Sequence, residues 1–289
     1  MDEDGFTLQE ACVHIVGLGL MGGSLAMALR GRVGLLTAQD IDRSVIAAAL
    51  DVGAIDAPGI PSAADITVLA APSDRIIEII AGLEVRSGTL VIDLGSTKAR
   101  ICDALDQLPE GVMAVGGHPM CGLAENGFRN ALPTLYQGAR FVLCETIRTT
   151  DQARVLAEGL VKASGARPLW MERGRHDYLT ALTSHLPHLL NFALMRLAME
   201  AAEQDDALFA LAAGGFDGAT RLARTDEAML VGMFSTNAAH IRDLASRLRA
   251  HLDRLEALLE ETPELRRELS AIVEARRAYT TDYGERPIA

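Results

Sequence analysis

Lysine is almost missing from this chain. Of 27 cationic residues only Lys98 and Lys162 are lysines, and the rest are arginine. An arginine here therefore carries no functional weight merely for being one. Positive charge is short as well: 39 acidic residues leave a formal net charge of −12 and a pI near 5.0. That balance argues against nucleic acid or an anionic membrane surface as partner. An anionic substrate must be drawn in by a local cationic site. Cysteine is sparse, and Cys12, Cys102, Cys121 and Cys144 lie far apart with no CxxC spacing. This is the pattern of reduced thiols in a cytosolic protein, not of a disulfide frame or a zinc site. No basic stretch followed by an apolar one opens the sequence as a secretory signal would. No uncharged apolar run reaches membrane-spanning length. The expectation is a soluble cytoplasmic protein.

What is present is 289 residues, 49% apolar and 23% charged, enough for a packed core and for one or two domains. Residues 12–171 alternate between two patterns. Apolar runs at Cys12–Val16, Val33–Ala38, Ile66–Ala71, Thr89–Asp93, Val112–Val115, Arg140–Cys144 and Arg167–Met171 read as strands. Helical patterns such as Ser24–Leu29, Asp74–Leu83, Lys98–Leu108 and Asp151–Ser164 lie between them. Strands spaced by helices of this length predict crossover units and a parallel sheet. From Arg173 onward the strand pattern stops. His176–Glu203 reads as one long helix interrupted by a single Pro, and Asn237–Glu261 carries an apolar stripe at Ile241, Leu244, Leu248, Leu255 and Leu258. Thr262-Pro263 opens a last helix that continues to about Tyr283. Such stripes serve equally to pack on one another or to pair with a second copy of the chain.

The segment after the first strand, GLGLMGG, holds Gly17-x-Gly19-x-x-Gly22 at the start of a helix. The first glycine permits a tight turn, the second lets backbone approach a pyrophosphate, and the third lets the helix sit close to the strand. Leu20 and Met21 in this loop, with Ala71 and Pro72 after a later strand, are further candidates for cofactor contact. Asp40 lies where a ribose-binding acid is expected, which favours NAD over NADP by repelling a 2′-phosphate. Asp42 competes for that role, and Arg43 could soften the preference, so NADP stays open. The fold class is therefore α/β: a Rossmann-type, mostly parallel sheet domain over residues 1–172, followed by an all-helical domain over residues 173–289.

Two polar segments belong at the carboxyl edge of such a sheet, where ligands bind. Asp93-Leu-Gly-Ser96-Thr97-Lys98 follows one strand, and Gly116-Gly117-His118-Pro119 follows the next. A His between Gly-Gly and Pro is expected on a turn, where it reads as a general base beside a nicotinamide with Ser96 orienting it. Ser184-His185-Leu-Pro187-His188 places two histidines on one helical region. It can be read as a metal pair, a polar site or core histidines, and without a third ligand no metal is expected. Gly214 to Thr220 reads as a glycine-rich break between helices, and Arg221 after it offers a bidentate fork for a carboxylate.

With these segments in view, the sequence resembles the prephenate and arogenate dehydrogenase family. GLGLMGGSLA, VIDLGSTK, GGHPMCG, SHLPH and GGF…TRLA occur in that family's order over roughly Val13 to Asn237. The resemblance implies a Rossmann domain, a helical dimerisation domain, and NAD- or NADP-dependent oxidative decarboxylation of a cyclohexadienyl substrate in tyrosine or related biosynthesis. It implies His118 as catalytic base supported by Ser96, and Arg221 as anchor for a substrate carboxylate. Ser184, His185 and His188 fall on the substrate side, and a homodimer is expected. The chain departs from the family at Ala124, Gly218 and Leu230, with Glu227 in place of a proline. These changes point to arogenate or an amino-substituted analogue over plain prephenate. No appended regulatory domain or preceding mutase domain is expected. One rival reading is a β-hydroxyacid dehydrogenase, which relies on a lysine that residues 173–204 do not contain. The other is a non-catalytic NAD-binding sensor, which would need none of Ser96, His118 and Arg221.

Overall fold

Aliphatic strands alternating with helices build an eight-stranded sheet in this computed structural model, which describes residues 7–123 and 125–284. The strands are β1 (Cys12–Val16), β2 (Leu35–Gln39), β3 (Ala57–Pro58), β4 (Ile66–Leu69), β5 (Leu90–Asp93), β6 (Met113–Pro119), β7 (Arg140–Glu145) and β8 (Arg167–Trp170). Their order is β3-β2-β1-β4-β5-β6-β7-β8, so the connections reverse direction at β1. Neighbours run parallel except β6 and β7, which pair antiparallel with His118 opposite Val142. Among the described residues between those two strands, the 3-10 turn Phe128–Asn130 is the one helical element. Without a crossover helix the chain comes back alongside β6 in the opposite sense.

Helices cover both faces. These are α1 (Leu20–Leu29), α2 (Arg43–Asp51), α3 (Ser73–Ala81), α4 (Ala99–Leu105) and α5 (Asp151–Ala163). Side chains of a strand alternate between faces, and the two cores follow that period. Val13, Ile15 and Ile92 join Leu25 and Leu29 of α1 and Leu156 and Leu160 of α5. Val16 and Val91 join Ile76 and Ile80 of α3 and Ile101 and Leu105 of α4. β4 and β5 are buried along their whole length, as expected for strands covered on both sides.

The remaining helices are α6 (Arg173–Thr180), α7 (Leu186–Ala202), α8 (Gly214–Thr220), α9 (Glu227–Thr236), α10 (Ala238–Ala257) and α11 (Thr262–Tyr283). The single helix expected over His176–Glu203 is broken by a π turn, Ala181–His185, in which the Leu186 N–H reaches back to the Ala181 carbonyl. Pro187 has no N–H to give and its ring crowds the preceding turn, so the wider turn accommodates it. The expected break at Gly214–Thr220 is instead the short helix α8. Packing against α7 overrides its poor helix propensity, and the Phe216 ring lies 6.4 Å from that of Phe209.

The chain divides after Ala238 into two compact units. The first holds the sheet and the helices through α9, and the second holds α10 and α11, which Arg254 and Glu268 join by an ion pair at 3.0 Å. The boundary between units therefore falls later than the change in secondary structure near residue 172. Asp177 of α6 binds the N–H groups that start α4, and Thr236 of α9 bonds Thr97 at 2.8 Å. No helix among the described residues is long and apolar enough to cross a membrane.

Candidate active site

The glycine loop sits where β1 meets α1. Gly17 has φ +94°, and a Cβ there would lie 2.4 Å from the Ala70 carbonyl oxygen. A Cβ on Gly22 would lie 1.9 Å from the Gly17 oxygen, whereas one on Gly19 would meet nothing within 4 Å. Gly17 and Gly22 are thus required by packing, while Gly19 leaves bare backbone facing open space. Gly19 caps α1 without a side-chain acceptor, so the N–H groups of the first turn are left to an anion. Asp40 follows β2. One of its oxygens accepts from Leu18 N at 2.7 Å and the other from Asp42 N at 2.9 Å. It thereby braces the glycine loop from the end of β2. Asp42 is taken up differently, as the N-cap of α2, accepting from Ser44 N and Oγ. Arg43 is exposed. These residues fit a dinucleotide.

Beneath the next part of the edge lies a buried ion pair. Asp93, the last residue of β5, and Lys98 are both completely buried and paired. Asp93 accepts from Gly117 N at 2.9 Å and from Gly95 N at 2.8 Å. Lys98 Nζ donates to Asp93 and to the Gly117 carbonyl. The pair therefore holds both backbone groups of the residue preceding His118.

His118 lies inside β6 and not on a turn, because β7 supplies the ladder partner that extends the strand to Pro119. Glycine at 116 and 117 is dictated by crowding. A Cβ on Gly117 would stand 2.3 Å from the Asp93 carbonyl oxygen, and one on Gly116 2.6 Å from the Cys102 sulfur. The half-buried His118 ring faces a cleft of about 260 Å³ lined also by Gly19, Leu20, Met21, Ala71, Pro72, Ser73, Ser96, Cys121, Asp226 and Met229. Its Nδ1 lies 2.8 Å from Nε2 of His176, with the rings edge to face. His176 Nδ1 in turn lies 2.8 Å from Asp177 Oδ1. Asp177 also accepts from Lys98 N at 2.6 Å and Ala99 N at 2.8 Å.

Charge states follow from these surroundings. Burial, then the nearby charges of His176, Lys98 and His185, push His118 well below the ordinary histidine value, so it is a neutral base at pH 7. Burial likewise lowers His176. For Asp177 burial acts upward, but the hydrogen bonds from His176, Ala99 and Lys98 outweigh it and hold the carboxyl below its usual value. Cys121 in the cleft wall is a thiol, pushed up to about 11 by burial.

The structure brings the glycine loop, Ala71, Pro72, Ser96 and His118 to one cleft. It does not join Ser96 to His118 as expected: the Ser96 hydroxyl pairs with that of Ser73 at 3.2 Å, and the ring partner of His118 is His176. Ser184, His188 and Arg221 form a second group that does not line this cleft. His188 donates from Nδ1 to the Ser184 carbonyl at 2.9 Å, and the half-buried Arg221 is close enough to bear on its charge. His185 is withdrawn from any substrate surface. It is 1% exposed, its Nδ1 lies 3.1 Å from Asn237 Nδ2, and burial lowers it to about 4. The π turn rotates it inward while Ser184 stays half-buried. Ala124 lies outside the described residues. No three-residue metal cluster occurs among the described residues. Sequence reasoning missed His176, Asp177 and the role of the Asp93–Lys98 pair. A lysine in a chain with two, and a His-Asp pair opening the first helix after the sheet, were the available signals.

The chain is similar to known proteins over most of its length. A model of the prephenate dehydrogenase nucleotide-binding domain matches residues 25–169, and one of the prephenate dehydrogenase dimerization domain matches residues 173–272. Prephenate dehydrogenase of Bacillus subtilis is 30% identical over 265 residues, covering 86% of this chain and 70% of that protein. Cyclohexadienyl dehydrogenase of Zymomonas mobilis is 27% identical, covering 95% of this chain and 98% of that one. The structure of A. aeolicus prephenate dehydrogenase, solved with hydroxyphenyl propionate and NAD+, superposes with a TM-score of 0.87 at 29% identity, over 96% of this chain and 100% of that one. With both halves matched in order, the chain belongs to the prephenate dehydrogenase family of oxidoreductases.

Proposed function

We propose that this chain catalyses the oxidative decarboxylation of a cyclohexadienyl carboxylate with NAD, in the biosynthesis of tyrosine or a related aromatic compound. The observation that carries the reading is the neutral imidazole of His118, held in the wall of the cleft that starts at the glycine loop. NAD held at the glycine loop and Asp40 would supply the acceptor for a hydride from the ring carbon bearing the hydroxyl. His118 takes the hydroxyl proton as that carbon becomes a carbonyl. The bond from ring to carboxylate then breaks to release CO2. Its electron pair passes through the ring to the carbonyl oxygen and makes the ring aromatic, and His118 returns the proton to that oxygen. The protein aligns the ring, holds a carboxylate with Arg221 and supplies one base. Ser184 and His188 stand beside Arg221 for the same purpose. Ser96, anchored by Ser73, serves the cofactor side.

Residues 1–172 hold the dinucleotide, and residues 173–289 bind substrate and form a homodimer. Supporting the dimer, Leu190, Leu194 and Leu197 leave an apolar stripe exposed along α7. For the substrate, the reading favours arogenate or an amino-substituted analogue. Asp226 is the carboxylate among the described residues lining the cleft, and it suits an ammonium group better than a keto group.

The test is absorbance at the NADH band with prephenate, arogenate and an amino-substituted analogue, each with NAD and with NADP. Turnover with NAD and preference for an amino-bearing substrate are expected. Prephenate best by orders of magnitude overturns the substrate preference. Tighter use of NADP removes Asp40 from its role, and no turnover of any substrate overturns the function.

A further inference from the structure

We propose that His176 is a positioning residue that fixes the tautomer of His118, keeping the proton on Nδ1 and leaving Nε2 bare toward the cleft. The inference rests on the base role given to His118 above, and it comes from counting protons along one chain of contacts. Asp177 meets three groups, and two of them, the backbone N–H groups of Lys98 and Ala99, can only donate. Such a carboxylate is an acceptor on both oxygens. The third contact, from His176 Nδ1 at 2.8 Å, must therefore carry its hydrogen on His176. A neutral His176 with Nδ1 protonated has a bare Nε2. The 2.8 Å contact between that Nε2 and His118 Nδ1 then requires the hydrogen on His118. One proton position follows from the next, and the start of α4 sets the first.

The opposite arrangement would need a doubly protonated His176 donating to His118. Burial opposes it first, and the positive charge of Lys98 at the start of α4 adds to that; together they outweigh Asp177 and Asp93, which favour the charged ring, and His176 stays below the ordinary histidine value. Asp177 is therefore the acid that orders the pair, as the buried carboxylate does in an acid–histidine dyad.

The experiment is long-range proton–nitrogen NMR on the whole protein with 15N-histidine, His118→Asn identifying the signals of His118. Expected is the Nδ1–H tautomer for both His118 and His176. An Nε2–H tautomer at His118 overturns the proposal without reference to activity. Two variants then test the consequence. His176→Gln keeps an acceptor near the former Nε2, and its kcat should stay within about tenfold of the parent. His176→Leu offers none, and its kcat should fall by more than about tenfold, with the substrate KM and the NAD dissociation constant unchanged. His118 should populate both tautomers in the leucine variant. Parental kcat in His176→Leu overturns the role. If the parent turns over no cyclohexadienyl substrate, the functional reading fails while the tautomer measurement still decides this inference.

Discussion

The carboxylate of Asp93 and the ammonium of Lys98, both completely buried, close on the two backbone groups of Gly117 from one side of the sheet. This pair sets the backbone directly ahead of His118 and brings a positive charge to the ring's vicinity. A buried pair broken at one partner leaves a charge without compensation, at about 3–5 kcal/mol. Lys98→Met should therefore destabilise the protein by that order in urea unfolding. Asp93→Asn with Lys98→Met should recover part of it, since the charge is gone while a side-chain oxygen remains for the Gly117 N–H. A single variant no worse than the double would show that the pair does not hold this backbone.

The glycine loop separates folding from binding. Gly17→Ala must strain a φ of +94° and meets the Ala70 oxygen at 2.4 Å, so its thermal midpoint should drop clearly. Gly19→Ala meets nothing within 4 Å, so its midpoint should match the parent while NAD binding weakens by about tenfold or more, because the methyl stands where the pyrophosphate approaches. Equal loss of stability in both variants would contradict this division.

His118 acts as a base only when unprotonated, so activity is present above its pKa and lost as pH falls through it. Burial puts that pKa well below 6.5. The acid limb of kcat/KM against pH, which reports the free enzyme, should accordingly have its midpoint below 6.5. His118→Asn should lower kcat by about 10²–10⁴-fold and abolish the limb while NAD binding persists. A midpoint above 6.5, or near-parental turnover in the variant, removes His118 from the base role.

Arg221 follows α8 in the 3-10 turn Arg221–Arg224. Arg221→Ala should raise the substrate KM by about 10–100-fold, the loss expected for a charged hydrogen bond of about 1.5–3 kcal/mol. NAD binding should be unaltered. Arg221→Lys should recover little, since an ammonium cannot match the planar fork. An unchanged substrate KM in the alanine variant places the anchor elsewhere.

Most of the sheet is legible in the sequence because its strands are short apolar runs separated by helices. Where reading and structure part, another segment is responsible in two cases and Pro187 in the third. β6 continues four residues past Val115 because β7 pairs with it. Gly214–Thr220 becomes helical where it packs against α7. The break before α7 takes the form of a π turn, which turns His185 inward. At the site, the glycine loop, Asp40, Ser96 and His118 stand out by residue type and spacing. His176 and Asp177 do not, because a His-Asp pair at a helix start has no local signature of its partners.

By itself the sequence determined the α/β plan, the glycine loop and an imidazole at the carboxyl edge of the sheet, since each follows from periodicity or from what glycine, histidine and aspartate can do locally. Only the tertiary structure decided which groups face that imidazole. His176 stands 58 residues farther along the chain, and the Lys98 and Ala99 N–H groups that orient it through Asp177 belong to another helix. Hydrogen-bond donors and acceptors are matched across space, so the protonated nitrogen of His118 is a property of the assembled fold.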